Sequence, residues 1–538
     1  MIIFSFDERM YSQHSGLCLV PGPVGKLGVV LEADRPSDVG AVSSFAGTIV
    51  RLDNVFARSA GRTAGLKAGR LAGLSGKNTD GRWRMYYSVH SWKPRCLGIA
   101  VAESSDGLHW TKPNLGQLRL DGADTNRLVI EGLYDGADII QPQVIRLPDG
   151  RWRMYFWLHG QAQGMVRYLI AESEDGLRWK TLGIDRPAIF HPADREVGQS
   201  GWAAGLTAAS PKDKFGHLRT LDWMAAKRLR SNDATYVYYD SERRLFEMYS
   251  VWLLPNSPET RRYTPHDNAP QVLRTIHRRC SEDGLAWSEP ELLITPDMQD
   301  PLDIQFYYLS MHREPGWRIG FLGHYRVWEQ TMDIELCFSR DGRNWRRPLR
   351  GGWIPRDPIP GRGCMSAYAT NDLIEADGRW LMLYTAANSK HKHQLPPGVE
   401  ERWVGVMAAA IPKNRFAGLT TTPRMVARLT LRPFIPSATE IRVDADVKGY
   451  IRAELLDPFG MPIPGYELAK SMPITGDAPD HVLRWAGRRD EEERHAVPGR
   501  AQGSGSAHAG ANTTAPYQYD AVSLRLEMSD AVLYAIHV

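Results

Sequence analysis

SSDGLHW at Ser104–Trp110, SEDGLRW at Ser173–Trp179, SEDGLAW at Ser281–Trp287 and SRDGRNW at Ser339–Trp345 are copies of one phrase, Ser-x-Asp-Gly-x-x-Trp. Each follows an apolar, strand-like run: LGIAVAE, RYLIAE, VLRTIHRRC and IELCF. The Asp-Gly pair suits a tight hairpin, because Gly tolerates positive φ and Asp bonds its own backbone. The Ser hydroxyl and Asp carboxylate are expected to cap turn amides, and the Trp to open the next strand and pack over the turn. A repeat of this kind governs the reading of everything around it.

A second phrase precedes each copy: GRWRMYYS at Gly81–Ser88, GRWRMYFW at Gly150–Trp157, RRLFEMYS at Arg243–Ser250 and GWRIGFLG at Gly316–Gly323. A fifth, GRWLMLYT at Gly378–Thr385, lacks the Ser-x-Asp-Gly-x-x-Trp partner and is followed by WVGVMAAAI at Trp403–Ile411. All alternate with period 2, as half-buried strands do. Five units of four strands each, repeated radially, predict an all-β fold: a five-bladed β-propeller. The propeller is expected over 43–422, after a lead-in at 1–42 whose LGVVLEAD stretch could close the ring. Beyond Thr420 the blade phrases stop, and strand-like runs predict a β-sandwich over 423–538. The charged, then Gly/Ser/Ala-rich segment 488–516 within it reads as a disordered insert. The long connection 184–230 reads as a functional loop.

Composition narrows the function classes. The net charge is +4, without the basic runs of a nucleic-acid binder. The five cysteines are scattered, with no Cys-x-x-Cys, which argues against a disulfide scaffold or a zinc cluster. No basic-then-apolar leader and no 18-residue apolar run is visible, so a cytoplasmic protein with no membrane partner is expected. The sequence does not define an oligomeric state. Many of the 17 Trp belong to the repeats and are packing residues first.

The five units resemble the five-bladed propeller superfamily of glycoside hydrolase families 32, 43 and 68. The ending, RAELLDPFGMPIPGYELAKSMPITGD through VSLRLEMSDAVLYAIHV, is similar to the terminal sandwich of bacterial propeller proteins of glycosyl hydrolase type. The resemblance implies a glycosidase that favours furanosides and works with carboxylates and no cofactor or catalytic metal. Two features depart from it: there is no WMNDPNG, and the one Arg-Asp-Pro string, Arg356–Pro358, falls between the last two blades.

Propeller ligands bind at one mouth of the central funnel, so catalytic acids are sought at matching points of several inner strands. Asp138 lies 16 residues before Met154, Asp303 lies 16 before Ile319, and Asp233 lies 15 before Met248. The matching positions in the first and fifth blades are Ser43 and Ser366. Converging carboxylates suit glycoside hydrolysis, where one protonates the leaving oxygen and another attacks or activates water. By chain order the resemblance implies Asp138 as base or nucleophile, Asp233 (in Asn-Asp-Ala) as stabiliser, and Asp303 as acid where the family has Glu. Asp357 is a fallback stabiliser. The opposing reading of each is a turn cap. His90, His159 and His324 each lie five residues after the Met85, Met154 or Ile319 position and are candidate sugar contacts. Trp92, Trp157 and Trp328 are candidate stacking platforms, and Arg228 and Arg230 candidate anion contacts; core packing and a solvated loop are their alternatives. The His391–His393 pattern reads as surface. Two other functions remain open: a carbohydrate-binding propeller without catalysis, and a sialidase-like hydrolase, which needs an arginine triad and a Tyr nucleophile.

Overall fold

The computed structural model describes residues 1–52, 82–92, 95–160, 164–191, 194, 234–256, 272–436, 440–486 and 521–538. Asp233, Arg228, Arg230, most of the 184–230 connection and the 488–516 insert lie outside the described residues, as does the side chain of Trp92. The chain divides into two compact units, 25–410 and 1–24 with 411–538.

The larger unit is a succession of five antiparallel meanders, here blades I to V. Their first strands are Val42–Arg51, Ile139–Arg146, Thr235–Asp240, Ile304–Glu314 and Ser366–Ala376. Their second strands carry the second repeated phrase, with Met-Tyr in blades I to III, Ile319-Gly320 in blade IV and Met382-Leu383 in blade V. Strand Gly25–Leu31 pairs with Val404–Pro412 and supplies the outer strand of blade V from the start of the chain. The first strands are joined in a ring by side-chain hydrogen bonds. Thr48 Oγ1 donates to Pro142 O at 2.8 Å (I to II), and Val237 N donates to Gln143 Oε1 at 3.3 Å (II to III). Met311 N donates to Tyr238 OH at 2.9 Å (III to IV), and Ala369 N to Tyr308 OH at 2.8 Å (IV to V). Ile49 N donates to Asn371 Oδ1 at 2.9 Å and closes V onto I. The axis is filled by rings, with Phe45 5.3 Å from Tyr308 and 4.8 Å from Tyr368.

The four Ser-x-Asp-Gly-x-x-Trp turns have one geometry. The Gly N–H donates to the Ser hydroxyl at 2.8 to 2.9 Å. The next two N–H groups donate to the Asp carboxylate at 2.8 to 3.0 Å. The two repeated phrases interlock. The Tyr after Met in one blade donates to the turn-Gly carbonyl of the next: Tyr86 to Gly176 at 2.7 Å, Tyr155 to Gly284 at 2.7 Å, Tyr249 to Gly342 at 3.2 Å. Blade IV faces a blade that lacks the turn, and there the Tyr position is Gly320. A Cβ at Gly320 would lie 2.5 Å from Cys337 and Trp345. The lock explains why Gly is required: Gly284 has φ +72°, and a Cβ there would lie 2.5 Å from the Tyr155 hydroxyl. Gly284→Ala should therefore cost about 2 kcal/mol in urea unfolding; a change under 0.5 kcal/mol would show the lock to be loose.

A second cross-blade contact carries a pH dependence. His312 of blade IV is buried and bonds Asp372 of blade V through Nδ1 at 2.7 Å and Glu314 through Nε2 at 3.3 Å. Burial alone would lower its pKa, but the two carboxylates prevail and raise it to about 9. Because the folded value lies above the unfolded one, near 6.5, the stabilisation is complete below about pH 6.5 and is lost as pH rises through about 9. Allowing for screening at the half-exposed Asp372, wild type should lose about 1–2 kcal/mol across that window. His312→Gln should start lower and stay flat, which denaturant unfolding at both pH values checks.

In the smaller unit, eight strands among the described residues are linked by pairing in one branched sheet. The cause is two long, bulged strands, Arg442–Leu456 and Ser523–His537, which pair with each other. Along its other edge Ser523–His537 takes up Ala427–Leu431, Ala417–Thr421 and Ile2–Phe4 in turn. Residues 1–24 thus belong here by strand pairing, and the expected lead-in of 1–42 is split.

Candidate active site

In a meander the inner strand begins at the end where the second strand leaves and the third returns. Connections between second and third strands therefore border the same mouth as the inner-strand starts. At this end lies a cavity of about 190 Å³. Its wall is made by blades V, I and II, with Tyr307 from blade IV. Phe45, Tyr307 and Tyr368 offer aromatic faces, and Ser43, Ser88, Ser366, Thr385 and Ser389 offer hydroxyls. Bulges in the inner strands shape it. Ala46 and Gln141 both take the left-handed backbone conformation (φ +47° and +60°) beside register shifts. Gln141 is fixed by its own N–H, which donates to Ser88 Oγ at 2.9 Å.

Asp138 stands next to this wall. Its Oδ1 accepts from Leu97 N at 3.1 Å, and its carbonyl accepts from His159 N at 2.8 Å. Leu97, Ile140 and Gln141 line the cavity, and Asp138 adjoins them through the bond from Leu97 N without being among the described lining residues. No Asp or Glu is among the described residues that line it.

Asp303 does not share the register of Asp138. His159 pairs with Asp138, but its equivalent His324 pairs with Phe306, and the Asp303 carbonyl accepts from Val327 N. The equal count of 16 conceals unequal turns: residues 147–151 separate the paired strands of blade II, residues 315–316 those of blade IV. Asp303 is 2% exposed and both its oxygens accept from Arg326 Nε at 3.0 Å. That is a structural ion pair, which corrects the expected general acid. Asp357 is also structural: it pairs with Lys26 and accepts from Gly363 N at 2.8 Å.

The three histidines keep their common register but not a common role. His90 lines the cavity, and burial together with Arg402 and His393 pushes it down to about 4. His159 is buried with its ring against Trp157, and His324 is buried 3.8 Å from Glu335. Trp157 is wholly buried and packs on Tyr168, which corrects its reading as a sugar platform; Trp328 is exposed and away from the cavity lining. Two further carboxyls, Asp333 and Glu335, are pushed up by burial despite Arg356 and Arg347, and neither lines the cavity.

The insert between the second and third strands of blade V supplies Lys390 and Arg402, which the sequence did not single out, and His391 and His393, which read as surface; all four line the cavity. His391 packs between Tyr307 and Tyr325, 5.0 and 4.9 Å away, and contacts the Tyr368 hydroxyl at 3.3 Å. Their signal was position, since this connection must border the mouth. Among the described residues no group of three or more His, Cys, Asp or Glu is placed to hold a metal ion.

The sequence matches no family model and no curated protein. Solved structures similar to the chain include a glycoside hydrolase (14% identity over 73% of this chain and 93% of that one, TM-score 0.44). Others are an N-acetylgalactosamine deacetylase from F. plautii (14%, 73% and 95%, 0.40) and a family 43 arabinoxylan arabinofuranohydrolase from Bacillus subtilis (10%, 85% and 93%, 0.33). Likenesses of this size assign no activity.

Proposed function

We propose that the protein is a glycoside hydrolase that seats a terminal sugar, of furanoside type, in the funnel cavity and employs Asp138 as its nucleophilic or water-activating carboxylate. The observation that carries the reading is the cavity wall: aromatic faces beside a row of hydroxyls, at the mouth of a propeller funnel. Sugars present C–H faces that pack on rings and hydroxyls that exchange hydrogen bonds, and the wall offers partners for both. Asp138 is one hydrogen bond from that wall. The absence of Asp and Glu from the described lining favours a second reading, a propeller that binds carbohydrate without cleaving it.

A hydrolysis screen separates the two. It would use 4-nitrophenyl furanosides, pyranosides and uronides together with sucrose, levan and arabinan. Turnover of at least one glycoside is expected. A complete lack of turnover, with sugar still bound, would transfer the protein to the binding class.

A further inference from the structure

The cavity is cationic. Lys390 and Arg402 line it with fixed positive charges beside His391 and His393, and no described lining residue carries a negative charge. Elsewhere in blade IV the arginines are matched, as Arg326 is to Asp303 and Arg347 to Glu335 and Asp300. Arg402 is different: its side chain donates to Ser389 Oγ at 3.4 Å and meets no carboxylate among the described residues. The Lys390 ammonium likewise has no ion-pair partner among them. The loop that presents them is tied down, with Lys390 N donating to Gln394 O at 2.8 Å, His393 N to Lys390 O at 2.7 Å and His391 N to Gln330 O at 2.9 Å. His393 holds a left-handed backbone, φ +65°. Cations held along a concave wall raise the local positive potential and attract an anion. Guanidinium and ammonium groups are the usual partners of carboxylate and phosphate oxygens.

An independent observation concerns Gln141. It is 5% exposed and lines the cavity, and its Oε1 accepts no hydrogen bond from the described residues. A buried acceptor without a donor is costly. A ligand hydroxyl in the cavity would satisfy it.

We propose that the cavity is built for an acidic sugar, with Lys390 and Arg402 holding an oxyanion and Gln141 Oε1 accepting from a ring hydroxyl. The oxyanion is the carboxylate of a uronic acid or the phosphate of a sugar phosphate, which share this recognition chemistry. The inference rests on the reading of the cavity as a sugar site, not on hydrolysis.

Isothermal titration calorimetry of the full chain at low salt tests it, with D-glucuronate, D-galacturonate, D-glucose 6-phosphate, their neutral parents D-glucose and D-galactose, and inorganic phosphate. At least one acidic sugar should bind about tenfold or more tighter than its neutral parent, by the worth of a charge-assisted contact. Lys390→Gln and Arg402→Gln should each weaken the acidic sugar more than its neutral parent and so remove most of that advantage. Gln141→Leu should weaken acidic and neutral sugars alike. A uronate preference assigns the carboxylate, and a glucose 6-phosphate preference the phosphate. Neutral sugars binding as tightly as acidic ones, charge variants without effect, inorganic phosphate binding as tightly as the sugar phosphate, or no probe binding at all would each overturn the proposal. Acid-selective binding without turnover would keep it and remove the hydrolase reading; turnover of neutral glycosides without acid selectivity would do the reverse.

Discussion

Asp138→Asn should lower the turnover of the protein's glycoside by about a thousandfold or more while changing its Kd by less than about threefold. The substitution keeps the shape of the side chain and an oxygen that can accept from Leu97 N, now at 3.1 Å. It removes the negative charge, which is what attack on the anomeric carbon or activation of water requires. A loss of about 4 kcal/mol of transition-state stabilisation corresponds to that factor. Single-turnover kinetics and calorimetric binding on the same preparation check both halves. Turnover within about tenfold of wild type would move the chemistry away from Asp138.

Arg347→Leu should give the largest loss of stability of any single substitution considered, about 3–5 kcal/mol. Arg347 is buried, donates to Glu335 through Nε at 2.6 Å and to Asp300 through Nη1 and Nη2, each at 2.8 Å, and lies 4.2 Å over the Phe306 ring. Without it buried Glu335 loses its counter-charge and buried Asp300 is left with Arg350 alone, at 3.1 Å. Burial would raise Asp300, but Arg347 and the Asp297 backbone bring it down to about 2. A depressed folded value means that this stabilisation is present above the unfolded pKa, near 3.9, and is lost as pH falls through about 2. Burial already raises Glu335 even with Arg347 in place. In the variant it should take up a proton more readily, so lowering the pH should recover part of the loss. Guanidinium unfolding of wild type and variant at pH 7 and pH 5 checks this; a loss below about 1 kcal/mol would mean that water already compensates the cluster.

The propeller was legible because its two phrases carry their own physics. Asp-Gly sets a turn, the period-2 run sets a half-buried strand, and the fixed spacing between them repeats the blade. Their interlock was not legible from either phrase alone. It appears when Tyr86, Tyr155 and Tyr249 are set beside Gly320, the one blade position that faces no turn glycine. The site was harder to read because counting along a chain runs through turns of unequal length and through bulges. Three residues' difference between the turns at 147–151 and 315–316 moved Asp303 out of register with Asp138. His90, His159 and His324 did keep register, because no turn lies between them and the phrase they follow. Only His90 reaches the cavity, since neighbouring packing differs blade by blade. The cationic wall came from a polar insert with no strand pattern, whose composition alone resembles surface.

The structure of Asp138→Asn in complex with the glycoside identified by the hydrolysis screen tests the central claim most directly. A sugar is expected in the funnel cavity, packed on Phe45, Tyr307 or Tyr368, with its anomeric carbon or glycosidic oxygen within about 3.5 Å of the residue-138 side chain. A sugar bound elsewhere on the chain, or one in the cavity with its anomeric centre turned away from residue 138, would contradict it.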